Sequence, residues 1–426
     1  MTARLRLVTL DEGCEPALLA HAVSYLGPGH GGLTELEPQS LRAHWQRYGA
    51  RPERRPRPPG EDLIDALHKI ALTGRGGGHF PTAAKWQAIR AATGPRPLVV
   101  ANGAEGEPLS RKDSALLELR PHLILDGLAC TAEAVDAAEA VVWLHESDHL
   151  ARSAVSRALA ERQSHVHEVP IRIALGPDRY LSGESSAVVR GVGGGPALPA
   201  FRPVPGPSRS PDGRPTLVHN VETLARIALA ARGEDAVSSA LVSVSSGDTI
   251  VVLELPDTCS VQDAVRRALG GTDPQAVLLG GYGGSWLSWE AAAGATLSEP
   301  QLRAGGLSLG AGVIAALLPG QCGIARVAQI ARYLAESSAR QCGPCLFGLD
   351  AIADSLHRLA KGGRRHRHEV TRLTGFLAEV RGRGACGHPD GAVRMVASAL
   401  ETFGADGQAH LDGRCVHEAT TGRGRG

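Results

Sequence analysis

The sequence predicts an α/β protein with a parallel, Rossmann-like sheet, followed by a β-grasp-like module and a C-terminal four-helix bundle. Three observations carry this. Short apolar runs at Pro97–Ala101, Ala140–Leu144 and Ile171–Leu175 alternate with helical patterns at Pro121–Ala137 and His149–Glu161, and buried strands alternating with helices build a parallel sheet. From Leu241 the pattern changes to a strand-rich stretch, with a helix at Val261–Leu269, a strand at Ala276–Leu279, a glycine turn at Gly280–Gly284 and a last apolar segment at Leu309–Leu318. From Ala325 onward the apolar spacing is helical, over 325–338, 346–360, 367–381 and 390–402, which reads as a bundle.

The other segments fit around these three. Residues 1–60 read as an adaptor, with a helix at Pro16–Leu26, a turn histidine at His30 and a solvated Arg/Pro linker at 51–60. Glu61–Thr73 reads as a helix with Leu63, Ile64, Leu67, Ile70 and Leu72 on or near one face. A glycine-rich stretch, Gly74 to Trp86, leads into good helix formers from Ala83 to Ala92. Residues 193–215 read as a long ordered loop, and Asn220-Val-Glu-Thr223 opens a helix to about Ala231. Residues 404–426 read as a loose tail.

Composition narrows the class. The length of 426 residues suggests about three domains. Aromatics make up only 4% of the chain, against 53 glycines and 27 prolines, so the cores must rest on Ala, Val and Leu. A net charge of +1 gives no electrostatic footprint for nucleic acid. Met1–Leu10 is too short and too polar for a signal peptide, and no apolar run is long enough for a membrane span. Eight cysteines without such a signal point to a reducing compartment, where spaced cysteines read as metal or redox ligands.

Chemistry concentrates in three places. In Gly74-Arg-Gly-Gly-Gly-His-Phe-Pro-Thr-Ala-Ala-Lys-Trp86, four of the first five residues are glycine and Arg75 and Lys85 flank the loop. Backbone N–H groups there can face an anion at a helix N-terminus; the competing reading is a flexible turn. The second place is Asn102-Gly-Ala-Glu-Gly-Glu-Pro108 with Lys112-Asp113, which follows a strand, as does Tyr180-Leu-Ser-Gly-Glu184. Ligands of parallel sheets sit at the carboxyl ends of strands. Glu105 and Glu107 would repel phosphate and suit ring nitrogens, ribose hydroxyls or ordered water, if they are not simply an exposed turn. The third place is Cys342-Gly-Pro-Cys345 with Cys386, Gly387 and His388. Three thiolates there suit an Fe–S cluster, or with His388 a Cys₃His zinc site, against a reading as buried free thiols. Cys14, Cys130, Cys259 and Cys322 read as isolated thiols, and Cys415 with His417 as part of a tail without a role.

The order of these motifs resembles the NADH-binding flavoprotein subunits of respiratory NADH:quinone oxidoreductase (complex I) and of soluble NAD-linked hydrogenases and formate dehydrogenases. The likeness spans about residues 60–403. GRGGGHFPTAAKW matches the family's glycine-rich segment, Ala101–Pro108 with Lys112-Asp113 its acidic segment, Tyr180–Ser186 its tyrosine segment, and Pro215–Leu224 its Asn-Val-Glu-Thr segment. The resemblance implies a non-covalent FMN held by Gly74, Arg75, Gly76, Gly77, Lys85, Asn102 and Asn220, with Glu105, Glu107, Tyr180, Gly183 and Glu184 lining the same pocket. It implies hydride transfer from NADH, or electrons from another donor, and a [4Fe–4S] cluster on Cys342, Cys345 and Cys386. It implies no catalytic side chain, because the cofactor does the chemistry. The implied domains are an FMN-binding α/β domain at 61–235, a β-grasp (SLBB-like) module at 240–320 and an Fe–S-binding four-helix bundle at 325–403. The implied partner is a ferredoxin-like or thioredoxin-like [2Fe–2S] subunit, and the implied place cytoplasmic, peripheral to a membrane complex.

The chain also departs from the family pattern. The first cysteine of the family's triplet falls near Ser338 and Ala339 here. His79 stands for a glycine, Ala104 for a carboxylate, Ser185 for a glutamate and His219 for an asparagine, and the family's dinucleotide-stacking aromatics fall near Ala88 and Pro205. These substitutions gather on the dinucleotide side. They leave two rival readings, a redox-inactive scaffold and a zinc-stabilised binding module.

Overall fold

A computed structural model describes residues 4–8, 22–26, 38–52, 62–162, 169–201 and 206–415. The chain forms two compact units: Met1–Cys259 with Gly310–Gly312, and Ser260–Leu309 with Val313–Gly426. The greater part of the Arg/Pro linker (53–61), His30, Cys14, Pro205, His417 and the chain end from 416 lie outside the described residues.

The first unit begins with strands β1 (Arg4–Val8) and β2 (Ala22–Leu26) and helices α1 (Leu41–Tyr48), α2 (Leu63–Lys69) and α3 (Thr82–Arg90). It continues through β3 (Leu98–Asn102), α4 (Lys112–Leu119), α5 (Pro121–Ala134), β4 (Glu139–His145), α6 (His149–Arg162), β5 (Ile171–Gly176) and α7 (Ser185–Val192). It ends with β6 (Ser208–Arg209), β7 (Pro215–Asn220), α8 (Val221–Arg232), β8 (Ser239–Ser246) and β9 (Thr249–Pro256). Its main sheet has the order β5-β4-β3-β7-β6. The first four strands are parallel and β6 closes the edge antiparallel.

Alternation along β3 shows why the sheet is covered on both faces. Val99 and Ala101 join a core shared with α2, α3, α4, α5 and α8, whereas Leu98 and Val100 pack with Trp143, Val188 and Val189 on the other face. Strands buried on both faces read as continuous apolar runs. Helices α5 and α8 cross so closely at Gly127 that a Cβ there would lie 1.8 Å from the Leu224 carbonyl oxygen. The hairpin β8–β9 turns at Gly247, whose φ of 55° suits glycine, and β9 pairs with β2.

The second unit holds α9 (Val261–Leu269), β10 (Ala276–Leu279), β11 (Ser285–Ser288), α10 (Trp289–Ala292), α11 (Glu299–Ala304) and β12 (Val313–Leu317). Helices α12 (Gly323–Glu336), α13 (Leu349–Lys361), α14 (Glu369–Val380), α15 (His388–Thr402) and α16 (Gly404–Leu411) follow. Strand β10 pairs antiparallel with both β11 and β12. The Trp286 amide donates to Ser398 Oγ at 2.9 Å, and the Trp286 ring meets Phe403 edge-on, which seats α15 on β11.

Two sequence readings are corrected. Residues 22–26 form a strand, not the end of a helix from Pro16, because they pair with β1 on one side and β9 on the other. Residues 404–411 form α16, not a loose tail: Gly407, His410 and Leu411 are buried. Helices α1, α4 and α7 are not legible in the sequence. Each is short and depends on a local cap or a tertiary partner. Ser40 Oγ caps α1 at Ala43 N, and His44 Nε2 meets Asp126 Oδ2 at 2.9 Å in a buried cluster with Arg162 and Arg232.

Candidate functional site

The glycine loop is closed at its base by two backbone bonds: Gly74 N donates to Phe80 O at 2.9 Å and Thr82 N to Leu72 O at 2.9 Å. Inside this closure Gly77 has φ 93° and packs against Gly310, from a distant part of the chain in the same unit. A Cβ on Gly76 would lie 3.2 Å from Asn220 Cβ. His79 is buried with φ 47°, so a histidine occupies the left-handed conformation that glycine adopts freely. The Arg75 amide donates to Thr223 Oγ1 at 2.8 Å, which ties the loop to the first turn of α8.

On α3, the loop's following helix, Lys85 Nζ donates to the Val218 carbonyl at 2.8 Å and Trp86 Nε1 donates to His219 Nε2 at 2.7 Å. Burial pulls the Lys85 ammonium below its usual range. Burial, with Lys85 nearby, holds His219 neutral, as its acceptor role toward Trp86 requires.

Asn102 and Asn220 sit opposite one another at the carboxyl ends of β3 and β7. Asn102 Nδ2 donates to the Gly183 carbonyl at 2.8 Å. Asn220 Oδ1 caps α8 at Glu222 N, and its Nδ2 donates to Asp113 Oδ2 at 2.5 Å. Behind them lies a buried ionic chain: Lys112 Nζ bridges Asp113 Oδ1 (2.8 Å) and Glu222 Oε2 (3.0 Å), and Arg226 Nε donates to Glu222 Oε1 at 2.8 Å. Burial opposes the charge on Lys112, but the two carboxylates outweigh it and keep the ammonium protonated. Burial likewise opposes Glu222, yet Lys112 and Arg226 hold its carboxyl down at about 2. Burial raises Asp113 to about 7, Lys112 offsetting it only in part.

The acidic segment divides in role. Both Glu105 oxygens are taken up at the start of α4: Oε1 accepts from Ser110 Oγ (2.5 Å) and Asp113 N (3.1 Å), and Oε2 from Ser114 N (3.1 Å) and Ser114 Oγ (2.8 Å). Four donors fill a carboxylate's capacity, so Glu105 fixes the loop and α4. Glu107 is buried and meets the Tyr180 hydroxyl at 3.4 Å. Glu184 caps α7, accepting from Ser186 N and Ala187 N. The two segments touch backbone to backbone, since a Cβ on Gly106 would lie 2.2 Å from Tyr180 O and one on Gly183 2.4 Å from Ala104 O.

The structure thus brings the predicted residues of the glycine, Asn102, Tyr180 and Asn220 segments together within the first unit. Sequence reasoning missed Thr223, Glu222 and the Gly310–Gly312 return, where Gly312 O accepts from Ser243 N at 2.7 Å. Thr223 and Glu222 lie inside the Asn-Val-Glu-Thr motif, which was the available signal. Nothing in the sequence marks Gly310. The cradle suits a flavin mononucleotide. Arg75 and Lys85 flank its glycine backbone, and Asn102 and Asn220 end β3 and β7, where ligands of parallel sheets sit.

In the second unit burial, then the Cys342 and Cys386 thiols, push Cys345 up to about 12. The turn carrying Cys345 is a short π-helix, Pro344–Gly348, with Leu346 N donating to Cys342 O at 2.9 Å. Ser338 Oγ lies 3.4 Å from the Cys345 carbonyl. His388 Nε2 is engaged by the Leu334 carbonyl at 2.8 Å, which takes that nitrogen out of a Cys₃His set. Three cysteines in a helical region suit an Fe–S cluster, whose ligands are thiolates.

A strand-end flavin cradle and a cysteine trio on one chain define the class of flavin- and iron–sulfur-dependent electron-transfer proteins. Two family models match: the Nuo51 FMN-binding domain over residues 67–229 and the NADH-ubiquinone oxidoreductase-F iron-sulfur binding region over residues 325–410. The NADH-quinone oxidoreductase F 2 subunit of Rhizobium meliloti (strain 1021) is 26% identical over 379 residues, covering 83% of this chain and 90% of the relative. The NADP-reducing hydrogenase subunit HndC of Solidesulfovibrio fructosivorans is 24% identical over 377 residues, covering 82% and 76%. The crystal structure of an NAD⁺-reducing [NiFe]-hydrogenase in the H₂-reduced state matches with a TM-score of 0.71 and 27% identity, covering 84% of this chain. This chain spans 64% of that solved chain, just under two thirds of its length. The chain thus resembles NADH-quinone oxidoreductase F subunits in both an FMN-binding and an iron–sulfur region. Among the described residues no helix is long and apolar enough to cross a membrane.

Proposed function

We propose that this chain is the electron-input subunit of an NADH dehydrogenase-like oxidoreductase, binding FMN in the first unit and a [4Fe–4S]-type cluster in the second. The observation that carries the reading is the paired strand ends of β3 and β7, where Asn102 and Asn220 lie side by side and Asn220 meets Gly76 of the glycine loop, in a chain that also carries Cys342, Cys345 and Cys386. A bound flavin would supply hydride acceptance from NADH and one-electron donation toward a cluster. The chain's own residues hold and orient. Gly74, Gly76 and Gly77 leave backbone exposed, Arg75 and Lys85 supply positive charge, and Asn102, Asn220, Glu107, Tyr180 and Gly183 form the polar wall. Glu105 and Glu184 shape that wall from behind, as caps of α4 and α7.

On this reading residues 61–235 are the flavin domain, 240–320 an SLBB-like module and 325–403 an Fe–S-binding four-helix bundle. The chain works in the cytoplasm beside a ferredoxin-like or thioredoxin-like [2Fe–2S] subunit. The test is anaerobic purification and reconstitution, with flavin, iron and acid-labile sulfide assayed per chain, followed by titration with NADH. The expected result is one FMN, a cluster, and bleaching of the flavin by NADH. Retention of neither cofactor overturns the proposal.

A second reading, a redox-inactive scaffold, is favoured by Ala339 standing where the family has a cysteine and by His79 in the loop. It predicts a folded chain that retains neither flavin nor iron.

A further inference from the structure

Away from the cysteine trio, the second unit holds another group of donors. Cys322 Sγ, a ring nitrogen of His410 and Cys415 Sγ all lie within 4.8 Å of one another. Cys322 and Cys415 fall outside both matched family regions, which end at 229 and 410. We propose that Cys322, His410 and Cys415 form a zinc site that clasps the end of the chain to the start of α12.

Each donor is positioned by the fold. His410 Nδ1 bonds to the Ala360 carbonyl at 2.9 Å, which places the ring proton on Nδ1 and leaves the Nε2 lone pair facing Cys322 Sγ at 3.2 Å. Metal-ligating histidines are oriented in this way, their second nitrogen donating to a carbonyl. The His410 backbone is itself clamped, its carbonyl accepting from Gly363 N at 2.8 Å and Gly413 N at 2.9 Å. Gly362 makes the approach possible, since a Cβ there would lie 2.5 Å from His410 O. Cys322 sits at the N-cap of the fourteen-residue α12, its sulfur accepting from Ala325 N at 3.4 Å. Burial, with the Cys415 thiol beside it, raises the Cys322 thiol to about 11, the Ala325 amide opposing this only in part, so the thiolate forms as the metal displaces the proton. Cys415 is carried back by the turn after α16, where Asp412 N bonds Gln408 O and Arg414 N bonds Ala409 O.

A tetrahedral zinc with Zn–S of about 2.3 Å and Zn–N of about 2.0 Å holds its donors about 3.5–3.8 Å apart. The three donors therefore need only small side-chain movements to bind. Two thiolates and one imidazole suit zinc rather than a hard cation. A disulfide between Cys322 and Cys415 would leave the oriented Nε2 without a task. Binding displaces the two thiol protons and leaves the fourth position to solvent.

The test uses the full-length protein purified without added metal, with zinc and iron measured per chain and Co²⁺ titrated into the metal-stripped protein as a spectroscopic probe. The expected result is one zinc per chain and thiolate-to-cobalt absorbance. Cys415→Ser and His410→Ala should lower zinc content at least about tenfold and leave iron unchanged. Cys342→Ser should do the reverse. Chelation should lower the melting temperature of the wild type and leave that of Cys415→Ser unchanged. Wild type without zinc, zinc unchanged in Cys415→Ser, or a Cys322–Cys415 disulfide found by peptide mapping would each overturn the proposal. Cys415 lies outside the buried core, so its serine variant keeps the fold even if His410→Ala does not.

Discussion

The two cofactor regions are prepared in opposite ways. At the ends of β3 and β7 almost every polar side chain already has a protein partner: Asn102 on Gly183, Asn220 on Asp113 and Glu222, Glu105 on the start of α4, Lys112 between two carboxylates. Its polar groups are already held by protein partners. The cysteine trio is the reverse. Burial, then the Cys342 and Cys386 thiols, makes ionisation of Cys345 harder. Preorganisation reduces the ordering cost of binding, whereas thiolate ligands become stable only with the metal that needs them. The first region should therefore fold without its cofactor and the second should depend on it.

The sharpest break in this comparison is Cys345→Ser. Reconstituted protein should lose essentially all cluster iron while keeping wild-type flavin per chain, read by iron and flavin assays on one sample. Loss of both cofactors together would show that the regions are not independent.

Next in size is Lys112→Met, which leaves Asp113 and Glu222 buried without their shared cation. A broken buried pair costs about 3–5 kcal/mol, read as a lower urea midpoint, with flavin retention falling alongside. A change below about 1 kcal/mol would mean that solvent reaches this chain of charges.

Asp113 gives a pH signature. Its folded pKa is raised from 3.8 to about 7, so the folded state binds its proton more tightly than the unfolded one. The resulting stabilisation is fully present below about pH 4 and is lost as pH rises through about 7, with a slope of at most about 1.4 kcal/mol per pH unit. Asp113→Asn keeps a neutral side chain throughout and should flatten that dependence between about pH 4.5 and 7.5, measured by urea denaturation. An unchanged profile would place the titration elsewhere. Glu222 works the other way, its contribution being present above 4.5 and lost as pH falls through about 2.

The smallest effect is expected from His79→Gly. Relief of the left-handed backbone, worth about 1–2 kcal/mol, is offset by glycine's larger unfolded entropy and the lost imidazole packing. Stability should stay within about 1 kcal/mol of wild type, and flavin bleaching by NADH should become faster. Slower bleaching would give the imidazole a positive part in donor binding.

Local patterns are legible where burial is simple. The buried strands β3, β4 and β5 read as apolar runs, and the reading of α9 matches its observed bounds because Ser260 caps it and Gly270 ends it in the left-handed conformation. The strand β2 is not legible: its residues Ala22–Leu26 take their conformation from β1 and β9, and β9 lies far along the chain. Glu105 and Glu107 are two residues apart and look alike in sequence. Only the donors around each separate them: Glu105 meets the open N-terminus of α4, while Glu107 meets Tyr180. Cys322 and Cys415 read as unrelated thiols because no spacing rule links residues so far apart.

The alternation of strands and helices, the order of the motifs and the chemical types of the donors follow from the order of amino acids alone, because periodicity and the preferences of glycine, asparagine and cysteine act over a few residues. Folding in three dimensions settles which of those donors face a ligand, which serve as helix caps, and which distant thiols become neighbours. Those outcomes depend on long-range packing: the return of Gly310–Gly312 against Gly77, the register that sets Asn102 beside Asn220, and the clamp that turns His410 toward Cys322.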